Sequence, residues 1–156
     1  MLTPLAIRIG AISWMPKLLP QITATDKLIQ RVSGGRVTIL DVAGLPNMML
    51  TVKGRKSGVP RTTPLLCVPH DGGFLIAGSY FGGPKTPVWV ANVRAAEEVQ
   101  VRFDARTLRA TPREVTGEER ARLWEVMVET WTNYRRYEER TDRTIPVFLL
   151  TPASAA

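Results

Sequence analysis

The sequence predicts a small α+β domain, mainly β, built as an antiparallel barrel with short flanking helices and an N-terminal helical extension. Three observations predict it. Five or six short strand-like runs follow one another between residues 36 and 152. Most adjoin their neighbours through Gly-, Pro- or Asp-bearing turns. The clear helical signals lie in residues 2–33, a short segment at 88–95 and a longer one after Thr116. A chain of 156 residues, 44% hydrophobic and 22% charged, has material for one domain with its own core. The expected organisation is an extension over 1–35, a barrel domain over 36–152 and a frayed tail over 153–156.

Residues 2–33 read as two helical pieces. Leu5, Ile9, Ile12 and Trp14–Met15 give the first an apolar face, and Pro16 and Pro20 interrupt it. Arg8 stands too early for a secretory signal, and no apolar span of 18 residues is uninterrupted. The face could pack on the domain or on another subunit. Trp14, two cations and the lack of an acid before Asp26 suit instead a peripheral membrane contact by residues 1–20. A second helix is expected to start near Thr25-Asp26 and to stop at Gly34-Gly35. Arg36–Val42 reads equally as a short strand or a turn of helix.

Strands then dominate. Met48–Lys53 and Thr62–Pro69 form a hairpin, and Asp71-Gly72-Gly73 turns the chain into Phe74–Ser79. Pro87 suits the first turn of a helix over Val88–Ala95. Glu98–Phe103 and Thr107–Val115 alternate as a further hairpin. Thr116 and Glu119 have the spacing of a capping box and open a long helix. Along it Trp124, Met127, Trp131, Tyr134 and then Tyr137 recur at helical spacing, a stripe that serves a core or a pocket. Ile145–Leu150, with Pro146 inside it, reads as an edge-type strand.

Charge is not spread evenly. Residues 1–52 carry net +3, residues 53–61 net +4, and residues 62–156 carry twelve charges of each sign. More than half of the +7 total therefore sits in Lys53, Arg55, Lys56 and Arg61, with Gly54, Gly58 and Pro60 among them. A solvated basic hairpin tip is one reading. The concentration favours the other, an anion held by cations, the Ser57 hydroxyl and backbone N–H groups. The stretch is not a P-loop, because Arg55 stands where glycine must precede the Lys-Ser pair.

Composition excludes several classes. One cysteine, Cys67, cannot make an internal disulfide and lies in an apolar run, which suits a reducing cytoplasm and a buried thiol. One histidine and one cysteine leave no zinc site and no His-based triad, so no metal is expected. A pI near 10 raises nucleic acid as a partner. With no basic tail, finger or RNA-binding signature, and with balanced charge beyond residue 61, none is expected. No carboxylate pair or nucleophile–base pair stands out.

Leu50-Thr51-Val52-Lys53-Gly54-Arg55-Lys56-Ser57-Gly58-Val59-Pro60-Arg61, followed by Pro64-Leu65, resembles the start of the deazaflavin (F420)-dependent nitroreductase family. The resemblance continues through Gly78-Ser79-Tyr80-Phe81-Gly82-Gly83 and Pro87-Val88-Trp89-Val90-Ala91-Asn92-Val93. It ends in Tyr134, Tyr137 and Thr141-Asp142-Arg143-Thr144-Ile145-Pro146. It implies a split β-barrel of FMN-binding type and an enzyme that passes a hydride from reduced F420 to a quinone, enone or nitroaromatic acceptor. It implies that Arg55, Lys56, Ser57, Arg61, Pro64 and Lys85 hold the anionic end of the coenzyme. Ala77, Gly78, Ser79, Gly83, Pro87 and Trp89 would border its ring, with glycines allowing close backbone approach. Trp131, Tyr134 and Tyr137 would meet the acceptor, and Ser79 and Tyr134 would hydrogen-bond its oxygen as charge develops. FMN is the alternative cofactor, and a non-catalytic carrier of the deazaflavin or an apolar ligand the alternative function. The implied assembly is a monomer or homodimer, cytoplasmic or peripheral to the inner face of the membrane.

Overall fold

The computed structural model describes residues 3–10, 17, 19–32, 39–42 and 44–153. Three helices come first: α1 (Thr3–Gly10), α2 (Leu19–Val32) and α3 (Ile39–Val42). Strands β1 (Asn47–Lys53), β2 (Pro60–Leu66), β3 (Val68–His70) and β4 (Gly73–Ala77) follow, then a 3-10 turn at Tyr80–Gly82 and helix α4 (Val88–Arg94). The chain closes with β5 (Val99–Phe103), β6 (Arg106–Val115), α5 (Gly117–Thr130), α6 (Asn133–Glu139) and β7 (Val147–Pro152). The seven strands form one antiparallel sheet in the order β2-β1-β5-β6-β7-β4-β3.

The sheet curls around one apolar cluster and carries a second on its other face. Alternate residues of β1 (Met48, Leu50, Val52) and β5 (Val99, Val101) point into the first cluster, which α4 closes with Trp89, Val90 and Val93. The second cluster lies under α5 and α6 and holds Leu123, Trp124, Met127, Trp131, Tyr134 and Tyr137. Strands β4 and β7 serve both. Phe74, Ile76, Phe148 and Leu150 enter the first cluster, while Leu75 and Val147 enter the second.

That arrangement corrects several expectations. Residues 147–152 are not an edge strand: β7 runs between β6 and β4, and Pro146 stands just before it, where no ladder N–H is lost. The run 62–69 breaks at Cys67, whose N–H donates to the Pro46 carbonyl at 3.0 Å, so it makes β2 and β3. The second helix starts at Leu19, six residues earlier than expected, because Pro20 sits in a first turn that needs no N–H. The segment left open between strand and helix is helical over Ile39–Val42. Thr116 caps α5 without a side-chain hydrogen bond, and Glu119 binds the Arg113 guanidinium through two hydrogen bonds at 2.6 and 3.2 Å, so no capping box forms. The helix after Thr116 is not continuous: Trp131 is extended (φ −137°, ψ 92°) and separates α5 from α6. Most of the expected apolar face at 12–16 and the stop at Gly34-Gly35 lie outside the described residues, as do the last three residues of the tail. Among the described residues no helix is long and apolar enough to cross a membrane.

Candidate functional site

The turn between β1 and β2 is built by short-range bonds. The Gly54 N–H donates to the Val59 carbonyl at 2.9 Å, and the Gly58 N–H to the Gly54 carbonyl at 2.8 Å. Gly58 has φ +69°, where a side chain is strained, and a Cβ on Gly54 would stand 2.6 Å from Ser57 Oγ. Ser57 Oγ accepts the Val59 N–H at 3.2 Å, which leaves its own proton available to a ligand. One tertiary bond then pins the turn to the body. Asn92, on α4 and 4% exposed, accepts the Arg55 N–H on its Oδ1 at 3.0 Å.

A cleft of about 700 Å³ opens beside this turn. Arg55, Lys56 and Arg61 line it from the hairpin, Lys85 from the loop before α4, and no acid lines it at all. Among the described residues none of these four cations is in an ion pair. The same cleft has an apolar lining from Val52, Pro87, Val88 and Trp89, with Tyr80 from the 3-10 turn. Trp89 is held by the first core cluster, with its ring 6.0 Å from that of Phe148. A second cleft of about 890 Å³ shares Gly54, Arg55, Lys56, Ser57 and Asn92, so the two meet at the basic turn.

The segment from Gly78 to Gly83 is fixed by one side chain. The Arg143 guanidinium donates to the carbonyls of Gly78 (3.0 Å), Ser79 (2.9 Å) and Gly83 (3.1 Å). Burial lowers its pKa from the ordinary arginine value, and three carbonyl acceptors compensate the lost water. Gly82 has φ +74°, and a Cβ there would lie 2.5 Å from the Tyr137 carbonyl oxygen.

A cleft lined by cations and by apolar and aromatic side chains suits a ligand that is anionic at one end and aromatic at the other. Residues 23–152 match the family described as F420H2-dependent quinone reductase. The chain belongs to this family. As a member it is an F420H2-dependent oxidoreductase of split-barrel fold, and F420H2 rather than FMN is its hydride donor. An F420H2-dependent quinone reductase of Mycobacterium tuberculosis is 31% identical over 134 residues, 84% of this chain and 90% of that protein. A solved chain described as an F420-H2-dependent reductase is 40% identical, with a TM-score of 0.63, over 67% of this chain and 93% of that one. Another, described as a domain-swapped dimer, is 34% identical with a TM-score of 0.65, over 82% of this chain and 94% of that one.

For an F420H2-dependent reductase the expected site residues divide in two. Arg55, Lys56, Ser57, Arg61, Lys85, Pro87 and Trp89 come together around the first cleft. Pro64 and Ala77 do not line it: Pro64 pairs with Met49 on the edge strand β2, and Ala77 packs against the second core cluster. Gly78 is a glycine for packing, because a Cβ would stand 2.7 Å from Val90 Cγ2. Gly83 is buried, and Ser79 is half-buried with its carbonyl taken by Arg143. The expected acceptor contacts are not brought to the cleft. Tyr134 is 3% exposed with its ring against Trp124 and Tyr137, and the Trp131 indole donates to the Tyr137 hydroxyl at 3.2 Å. Burial raises the pKa of both tyrosines, that of Tyr137 to about 12, so both keep their protons. Trp131, extended between α5 and α6, lies with the buried residues of both helices in the second core cluster.

The sequence assigns no role to Arg143 or Tyr80 and names Asn92 only within the family motif. A buried polar residue mid-helix was the signal for Asn92. An arginine three residues before Pro146 carried no signal of its partners, which lie 60 to 65 residues away.

Proposed function

We propose that the first cleft holds F420H2, with Arg55, Lys56, Arg61, Lys85 and Ser57 on its anionic end and Pro87 and Trp89 along its ring. The observation that carries this is the meeting, in one cleft without an acid, of a core-anchored indole and four cations that form no ion pair among the described residues. The residues fit the coenzyme on both counts. A phosphodiester and a glutamate tail ask for forked guanidinium donors and point charges, and a flat tricyclic ring asks for an apolar wall.

When bound, the reduced deazaflavin supplies a hydride to a conjugated acceptor, a quinone first and an enone or nitroaromatic as wider substrates. The chain's own part is to bind and orient. Arg55 and Arg61 fix the anion, the Asn92 bond keeps the turn in place, and Trp89 limits water along the wall. Ser79, next to Tyr80 at the cleft, is the remaining hydroxyl candidate for the acceptor oxygen. Tyr134 and Tyr137 support the loop from beneath.

We assign the protein to the cytoplasm, with no nucleic-acid partner; within residues 1–20, Ile7 packs on the second cluster and its carbonyl accepts the Asn133 side-chain N–H at 2.7 Å, which favours packing on the domain over a peripheral contact with the inner membrane face. A homodimer is the proposed assembly, since one relative is described as a domain-swapped dimer. The test is a titration of the protein into oxidised F420 by fluorescence, with FMN in parallel, followed by turnover of F420H2 with a short-chain quinone. Saturable binding of F420 alone and quinone-dependent oxidation support the reading. Saturation by FMN alone, or binding without turnover, refutes it.

A further inference from the structure

Tyr80 is the one strained residue at the cleft. Its φ of +47° is a left-handed conformation that a bulky side chain adopts at a cost. It is 43% exposed and lines the cleft beside Trp89 and Lys85, so no core contact explains the strain. What holds it is the frame around it. Arg143 grips the carbonyls of Ser79 and Gly83 on either side, the Gly83 N–H donates to the Tyr80 carbonyl at 2.9 Å, and Gly82 lies tight against the Tyr137 backbone. A backbone held off its preferred region by surrounding bonds, at an open cleft, marks a residue placed for a ligand.

We propose that Tyr80 is a ring-contacting residue of the deazaflavin site and that Arg143 is the positioning residue that sets it there. The proposal rests on the assignment of the first cleft to F420H2. Tyr80 and Trp89 then supply two aromatic surfaces to one flat ligand, and the phenol ring carries the contact while its hydroxyl is dispensable. Arg143 itself binds carbonyls and acts only through the loop.

The experiment measures dissociation constants for oxidised F420 by fluorescence, together with thermal midpoints. Tyr80→Gly removes the ring and accepts φ +47° without strain, so affinity falls about threefold to tenfold while the midpoint does not fall. Tyr80→Phe keeps the ring and loses less affinity than Tyr80→Gly; an equal loss in both overturns the ring contact. Arg143→Lys keeps the charge and loses the fork, and weakens binding about threefold in the wild-type background but not in the Tyr80→Gly background. Arg143→Gln takes its place should the lysine variant not fold. Unchanged affinity in Tyr80→Gly overturns the role of Tyr80, whatever its midpoint. Losses that add in the double variant overturn the positioning role of Arg143. Failure of the wild-type chain to bind F420 overturns the cleft assignment and this proposal with it, and is distinguished by being seen before any substitution.

Discussion

Replacing Asn92 by alanine tests how the basic turn is held. Its Oδ1 accepts the Arg55 N–H at 3.0 Å, and the side chain is 4% exposed. Truncation leaves that N–H without its partner in a part-buried position, a cost of about 1–3 kcal/mol. For a chain of this size such a loss lowers the thermal midpoint by roughly 2–12 °C. The turn also loses its one tertiary hydrogen bond, so F420 affinity falls with stability, because ordering Arg55 and Lys56 must now be done by the ligand. Asn92→Asp keeps an acceptor in the same place but adds a negative charge beside the anion site. It retains more of the stability than alanine and loses more of the affinity, and its deficit shrinks as salt rises. Calorimetry and fluorescence titration of both variants read the two effects separately. A midpoint and an affinity unchanged in Asn92→Ala would refute the reasoning, since the turn would then be held by the bonds among Gly54, Gly58 and Val59 alone.

Arg55→Ala with Lys56→Ala weakens F420 binding by at least tenfold at low ionic strength and by less at 0.5 M salt, read by the same titration; an equal loss at both would remove the charge argument. Gly82→Ala destabilises by about 2–4 kcal/mol in chemical denaturation, from left-handed strain and a Cβ 2.5 Å from a backbone oxygen that cannot rotate away. Stability falls at alkaline pH. Burial pushes the Cys67 thiol from 9.0 up to about 12 and Tyr137 from 10.0 to about 12, so the unfolded chain releases these protons first. Their contribution is complete below about pH 9 and is lost as pH rises through 12, and Cys67→Ala flattens the fall between pH 9 and 10.5 in thermal scans.

Local patterns were legible where local bonds decide. The β1–β2 hairpin, the Asp71-Gly72 turn, α4 and the β5–β6 hairpin follow from period and turn residues, and four cations in nine residues marked the rim of the cleft. The rest depended on partners distant in sequence. Pro146 suggested an edge strand, yet the chain enters β7 after it and is then buried on both faces, which no local pattern states. The aromatic stripe kept its helical spacing across Trp131 although the backbone does not, because residues on both sides of the break serve one cluster. Glu119 stood at the capping-box position, but Arg113 offers it a two-pronged charged bond in place of a single backbone N–H.

The two apolar clusters explain why the cleft sits where it does. Helix α4 closes the first cluster with Trp89, Val90 and Val93 and presents Asn92 to the basic turn, so the floor of the cleft is as rigid as the core beneath it. Helix α6 belongs to the second cluster and presses the Tyr137 backbone against Gly82, while Arg143, at the approach to β7, holds the same loop by its carbonyls. Each wall of the cleft is thus an outgrowth of a different core, and β4 and β7, which contribute to both, tie the walls together. A substitution under α4 or under α6, away from the shared strands β4 and β7, therefore reaches one wall before the other. Loss of packing under α4 weakens the anion rim and Trp89 together, whereas loss under α6 moves Tyr80 and leaves the rim intact.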